Sequence, residues 1–419
     1  MKVVIVGSGL IGVTTAYFLQ RRGHQVTVID RKSGPGQDAS FANGGLLTPS
    51  MADPWNAPGC WRALLGSIGR SDAALKLHLG QLFALAGWGV TFLRNSRPRV
   101  FERNVRSNLS LARYSLQVLR SLREETGIDY GGAARGTLRI FRDSSALDHA
   151  AQTAEQLLFG QVPLRRLSQH ETVELEPALL PIAPQLAGAL YFVDDECGDA
   201  HRFCLALAEL ARQEGVQFRF NTEVSSLAVH ARRMTAIVSE RETFVADRYV
   251  VAAGSYSAAL LRTAGVSLPV RPAKGYSVTF DHGRAATCLS IPVVDDHLHA
   301  AVVPLGDALR IAGTAEFAGY NLKLVPARVR NVLALLHEVL PQAALDPASA
   351  KPWTGLRPMS ADGVPIISST SVTDLMVNTG HGHLGWTMAA GSAQLLTSML
   401  CRDVSPIDPA LFALARFDY

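Results

Sequence analysis

The chain opens on a short apolar run, Lys2 to Val6, of the kind that a strand buried on both faces requires. Apolar positions then recur at helical spacing from Leu10 to Arg22, and a second strand pattern from Gln25 to Ile29 ends at Asp30. That order predicts a βαβ unit. From Ser33 to Gly59 the pattern dissolves into Gly, Pro, Ser and Asn, a long loop of the sort that compact proteins keep for function. Helical patterns fill Trp61 to Gly127, a strand is expected over Thr137 to Phe141, and a helix after Asp143.

The parallel-sheet pattern then resumes, with a helix over Arg202 to Gln213 and strands over Val216 to Phe220 and Phe244 to Ala253, the last running into a glycine turn at Gly254. Alternation at Tyr276 to Phe280 and Leu309 to Gly313 predicts antiparallel strands elsewhere, and a helix is expected over Leu384 to Leu400. The fold class is therefore α/β: a Rossmann-type domain interrupted by an α+β domain built mainly on an antiparallel sheet. The nucleotide-binding domain is expected to be discontinuous, at 1–60, 196–264 and 355–419. The substrate domain takes 61–195 and 265–354.

Composition narrows the function. At 419 residues, 48% hydrophobic and 18% charged, the chain can build two cores. Its net charge of +4 is dispersed, with no basic run, so nucleic acid is not an expected partner. Five cysteines without a CxxC pair suit reduced thiols in the cytoplasm, and the apolar start meets a glycine loop rather than a signal-peptide cleavage site. Cys197, His201 and Cys204 match no zinc spacing, the H-x-H of His381 and His383 lacks a third ligand, and no metal is expected. Leu75 to Leu93 is apolar over a membrane-spanning length, but Lys76, His78, Gln81 and three glycines interrupt it; it reads as a core helix or an interfacial membrane contact.

The chemistry concentrates in three glycine-rich turns. The first, VVIVGSGLIGV, sets Gly7, Gly9 and Gly12 at a strand-to-helix turn, where missing side chains let the backbone approach a pyrophosphate at a positive helix end. Ser8, Leu10 and Ile11 complete that turn. Asp30 supplies the acid for a ribose hydroxyl, with Arg31 and Lys32 following it. NAD and FAD share this fingerprint. The second turn runs through Ser40, Asn43, Gly44, Gly45 and Leu46, whose backbone amides could reach a flavin. The third includes Gly380, His381, Gly382, Leu384, Gly385, Trp386 and Thr387, and it opens the C-terminal helix. A helix N-terminus there would stabilise negative charge gathering on a reduced flavin, an element that NAD does not need.

These residues resemble the D-amino-acid oxidase superfamily of flavoenzymes, and within it most closely the small-subunit family of bacterial D-amino-acid dehydrogenase. The likeness is carried by VVIVGSGLIGV, SFANGGLLTP, TGIDYGGAARGTLRIF, GSYS, KGYS, WTGLRPMSADGVPI and NTGHGHLGWTMAAGS. It implies non-covalent FAD, an antiparallel substrate domain and electrons passed to a quinone or respiratory chain. By the same resemblance Val224 would touch adenine, Ala252, Ala253 and Gly254 would lie along the cofactor, and Gly355 would border it. Relatives act on D-amino acids, on D-proline or hydroxy-D-proline, on glycine and on N-methyl amino acids.

An amino-acid substrate needs its carboxylate held, and by the same resemblance Arg357 of GLRP is the expected clamp, through two parallel charge-assisted hydrogen bonds. Tyr276 of KGYS is a second candidate for the carboxylate or the pocket wall, and His381 a third pocket residue. The expected reaction is FAD-dependent oxidative deamination of a D-amino acid, with the product imine hydrolysed by water. An oxygen-using D-amino-acid, glycine or sarcosine oxidase, or a flavin-carrying subunit without turnover of its own, stays open. Expected partners are the small substrate and the electron acceptor, at the cytoplasmic side and at the inner face of the cell membrane if a peripheral contact or partner subunit exists.

Overall fold

The computed structural model describes residues 1–62, 75–281, 287–298 and 300–417. Its first parallel sheet grows from the predicted βαβ unit: Lys2–Val6 pairs with Gln25–Ile29 on one side and with Arg248–Val251 on the other. Gln217–Arg219, Leu375–Thr379 and the antiparallel Ile366–Ser369 extend it to six strands. The helix Leu10–Arg21 covers it, buried along Val13, Ala16 and Leu19, and the last helix, Gly385–Cys401, packs on that helix. Gly391 lets the last helix touch a third, Pro98–Thr126, since a Cβ there would lie 2.8 Å from Ser115.

The larger sheet has nine strands among the described residues, mostly antiparallel. Its alternation divides the molecule. Val278, Ile311, Val302, Val293 and Leu138 face one another in register and are fully buried beneath the helix Pro326–Val339. One residue along, Trp353, Ser277, Ala312, Ala301, Val294 and Arg139 form a second row across six strands, on the opposite face. Five inter-strand steps of about 4.8 Å make that row about 24 Å long. Its middle members are small, so the sheet presents a shallow floor toward the parallel sheet.

Some expected boundaries moved. The pattern over 244–253 divides: Phe244 pairs with Ile237 in a three-stranded sheet, and only Arg248–Val251 enters the parallel sheet. Tyr249 causes the break, its hydroxyl accepting from the Ala246 amide (2.8 Å) and donating to the Thr235 carbonyl (2.9 Å). The boundary expected at 355 falls inside the strand Lys351–Ser360, which edges the larger sheet. The helical stretch expected over 61–127 resolves into Leu82–Arg94 and Pro98–Thr126; proline starts the second, and Gly127 ends it with φ of 65°. Ahead of them Leu75–Leu77 is a short strand, and residues 63–74 lie outside the described residues. Among the described residues no helix is long and apolar enough to cross a membrane.

Two glycines separate packing from conformational effects. A Cβ on Gly12 would sit 1.8 Å from the Gly7 carbonyl oxygen, which is backbone and cannot yield. Gly89, on the helix Leu82–Arg94, meets nothing within 4 Å. Gly12→Ala should therefore lower the unfolding free energy by about 3 kcal/mol or more, whereas Gly89→Ala should raise it by about 0.5–1 kcal/mol. Denaturant midpoints check both.

Candidate active site

A cavity of about 1620 Å³ opens between the two large sheets. At its nucleotide end Gly7 has φ of 107° and a Cβ there would lie 2.5 Å from the Ala252 carbonyl oxygen, so Gly7 and Gly12 serve close packing. Gly9 differs. It borders the cavity, and a Cβ would meet only the Ser40 hydroxyl, at 3.3 Å. The N-cap is Gly9, which has no side chain to close the helix that begins at Leu10; the Ser40 hydroxyl accepts from the Leu10 amide (3.2 Å), and the helix end keeps its positive dipole toward the cavity. Asp30 accepts from the Ser8 amide (2.6 Å) and hydroxyl (2.8 Å) and from the Lys32 amide (2.8 Å), which ties the second strand end to the glycine turn. Arg31 lies over the Tyr256 ring at 3.8 Å and bonds Asp38 at 2.9 Å. Val224, Ala252, Ala253 and Gly254 line the same end.

The loop of Ser40 to Leu46 is held from both sides. The Ser277 hydroxyl donates to the Ala42 carbonyl (2.6 Å), Arg310 donates to the Asn43 carbonyl (3.2 Å), and Gly44 lies over Ala312. Arg310 is buried and anchored in turn by Thr279 and Asp199, each at 2.9 Å. From the C-terminal helix Thr387 accepts from the Thr48 amide (3.1 Å), and the Trp386 indole donates to the Gly198 carbonyl (2.9 Å). Of the residues expected to border the cofactor, Ser8, Gly12, Gly380 and Thr387 do not line the cavity: Ser8 bonds Asp30, Gly380 packs on Ser360 and Val270, and Thr387 holds the loop.

Arg357 owes its position to two glycines facing each other across adjacent strands, Gly275 and Gly355. A Cβ on Gly275 would come within 2.4–2.6 Å of the Arg357 guanidinium, and one on Gly355 within 2.2 Å of the Trp353 ring. The paired glycines thus form a trough in which both side chains lie along the cavity wall. No carboxylate among the described residues pairs with Arg357; it has only a long contact to the Thr314 carbonyl (3.5 Å) and the Trp55 ring at 5.6 Å. Burial without compensation pushes its pKa down to about 10.

The other two catalytic candidates sit differently. Tyr276 borders the cavity, but its ring packs in the buried core with Val278, and its hydroxyl reaches Glu316 at 3.4 Å. Strand alternation explains this: Gly275, one residue back, is the position that faces Arg357. His381 bonds the Ser392 hydroxyl (2.9 Å) at the start of the last helix, and burial lowers its pKa to about 3. His383, two residues on, stacks on Trp55 with ring centres 5.5 Å apart. Trp55 and Arg310 lay in no quoted motif, and Gly275, Ser277 and Trp353 lay within KGYS and WTGLRP without being singled out; the facing glycines of those two segments were the nearest trace of the trough.

The sequence matches the FAD dependent oxidoreductase family over residues 2–399. The chain belongs to that family. It is 40% identical over 420 residues to a D-amino acid dehydrogenase of Paramagnetospirillum magneticum, covering 100% of this chain and 99% of the relative. It is 39% identical over 417 residues to one of Granulibacter bethesdensis, covering 100% of both. Among solved structures it resembles glycine oxidase from Geobacillus kaustophilus (25% identity, TM-score 0.76, 99% of this chain and 98% of that one). L-proline dehydrogenase from P. horikoshii shares the fold (17% identity, TM-score 0.77, 100% and 97%). The nucleotide end of this FAD-dependent oxidoreductase fits its cofactor: Gly9 and the helix start at Leu10 would hold the pyrophosphate, Asp30 a ribose, and the glycine loop at 44–45 the ring system.

Two outcomes test this FAD oxidoreductase's site. Gly275→Ala should leave folding and FAD content intact, because the far end of a flexible side chain can move, yet lower kcat/KM about 10- to 100-fold by displacing the guanidinium. His381 has its pKa lowered by folding, so its contribution to stability is complete above about 6.5 and is lost as pH falls below that. The loss should run at about 1.4 kcal/mol per pH unit, down to about 3. Unfolding free energies measured from pH 7 to 4 should show this slope in the parent and a shallower one in His381→Asn.

Proposed function

We propose that this protein oxidises the carbon–nitrogen bond of a D-amino acid, with Arg357 as the carboxylate clamp. One observation carries the reading: a half-buried guanidinium that lines the cavity and has no anionic partner among the described residues. Uncompensated burial of a cation is costly, and a bound carboxylate removes that cost through two parallel charge-assisted hydrogen bonds. The curated relatives of about 40% identity named D-amino acid dehydrogenase support the same class and configuration.

When bound, FAD supplies the acceptor for the hydride that leaves the α-carbon. The chain's own residues position and shelter the reaction. Arg357 fixes the substrate's acid group, Trp55 and Trp353 wall the space beside it, and the start of the helix Gly385–Cys401 offers a positive dipole end at the cavity. Ser277 and Arg310 hold the glycine loop against the sheet, so the loop keeps one geometry through turnover.

Electrons then leave to a quinone at the membrane. The helix Leu82–Arg94 supports this, because its outer face exposes Leu82, Phe83, Val90 and Leu93, with Phe83 97% exposed. Arg94, Arg97, Arg99 and Arg103 follow, against a single acid, Glu102. An apolar face with a cationic flank suits the surface of an anionic bilayer. The buried side of the same helix, Trp88 and Phe92, packs in the cluster that Trp55 joins, so the contact lies next to the site.

FAD-loaded protein should lose its flavin absorbance on adding D-amino acids, and a screen of D- and L-forms including proline and 4-hydroxyproline ranks the substrates. Arg357→Lys should lower kcat/KM about 100-fold with FAD retained; unchanged kinetics refute the clamp. Phe83→Asp should weaken sedimentation with anionic phospholipid vesicles while leaving dye-coupled turnover unaltered. Peroxide formed in equal yield to dye reduction would identify an oxidase instead.

A further inference from the structure

We infer that His383 is the base that takes the proton from the substrate's ammonium group before oxidation, an assignment that rests on the amino-acid reading above. An amino acid meets a neutral site as a zwitterion, and its nitrogen must have a lone pair before the α-carbon can give up hydride. A group beside the carboxylate clamp has to accept that proton.

Tautomer geometry selects His383. Its Nε2 lies 3.3 Å from the Met51 carbonyl oxygen, which can only accept, so Nε2 carries the hydrogen. Nδ1 is left with its lone pair and, among the described residues, with no hydrogen-bond partner, in a half-buried ring on the cavity wall. The ring is fixed by stacking on Trp55 at an interplanar angle of 19°. Trp55 also meets Arg357, at 5.6 Å. One indole therefore spaces the base and the clamp, and the carboxylate and amine of a single amino acid, separated by one carbon, fit between them. His381, in the same H-x-H, is closed off by Ser392 and by burial.

The charged groups around His383 agree. Burial and the Arg357 charge lower its proton affinity, and Asp53 opposes them, so the ring is neutral near pH 7 and ready to accept. The step breaks one ammonium N–H bond and forms the Nδ1–H bond, leaving a neutral amine and an imidazolium; no electrons change hands. Asp53, exposed at the rim, faces the imidazolium that results.

The test follows the rate of flavin bleaching by a reactive D-amino acid from pH 5 to 10 in wild type, His383→Gln and His383→Ala. Wild type should hold its kcat/KM down to the pKa of His383. Both variants depend on free amine from solution, so their kcat/KM should fall about tenfold for each pH unit below the amine's own pKa. Propionate, which offers a carboxylate and no amine, should bind all three proteins alike by calorimetry. Variant profiles that coincide with wild type overturn the role, and so does an equal loss of propionate affinity, which would make His383 a support for Arg357. A wild-type protein that holds FAD but is bleached by no amino acid at any pH sinks the functional reading itself.

Discussion

The glycine loop between Ser40 and Thr48 is held by the antiparallel sheet and the C-terminal helix at once, and the rest of the site depends on that. A loop of small residues cannot satisfy its own carbonyls, so side chains from elsewhere must do so. Ser277 and Arg310 reach it from the antiparallel sheet, and Thr387 with Trp386 braces it and its neighbour Gly198 from the C-terminal helix. Arg310 is itself buried and paired with Asp199, the residue that caps the helix Ala200–Gln213. The loop thereby registers the nucleotide turn against the substrate floor. A shift of either sheet would move the backbone amides and the clamp relative to each other.

Between those sheets Arg357 has no carboxylate partner among the described residues. The fold places Arg357 over Gly275, where no carboxylate side chain among the described residues pairs with it. Structural ion pairs elsewhere in the chain are closed, as Arg328 with Glu316 and Arg416 with Asp362 show, each at 2.7 Å. Leaving one guanidinium open is a cost in stability that a ligand with a carboxylate recovers on binding.

The row of small side chains explains how a packed sheet can carry so large a cavity. Ser277, Ala312 and Ala301 occupy the middle strands on the open face, while Val278, Ile311 and Val302 fill the closed one. Period-two alternation does both jobs with adjacent residues. The same rule turns Tyr276 toward Glu316 and leaves Gly275 for Arg357.

Local sequence was enough for the parts of this protein whose conformation is set locally. The βαβ unit with Gly7, Gly9 and Gly12, the acid at Asp30, the helix after Asp143 and the glycine turn before the last helix were all legible, because backbone sterics and capping act within a few residues. Arg357 was legible only through family likeness. Tertiary structure alone decided that His381 is buried against Ser392 while His383 stacks on Trp55, that Trp55 also meets Arg357, and that Gly275 leaves room for the guanidinium. Those relations join residues hundreds of positions apart through strand register and packing, and a chain's local pattern holds no record of which distant strand it will pair with.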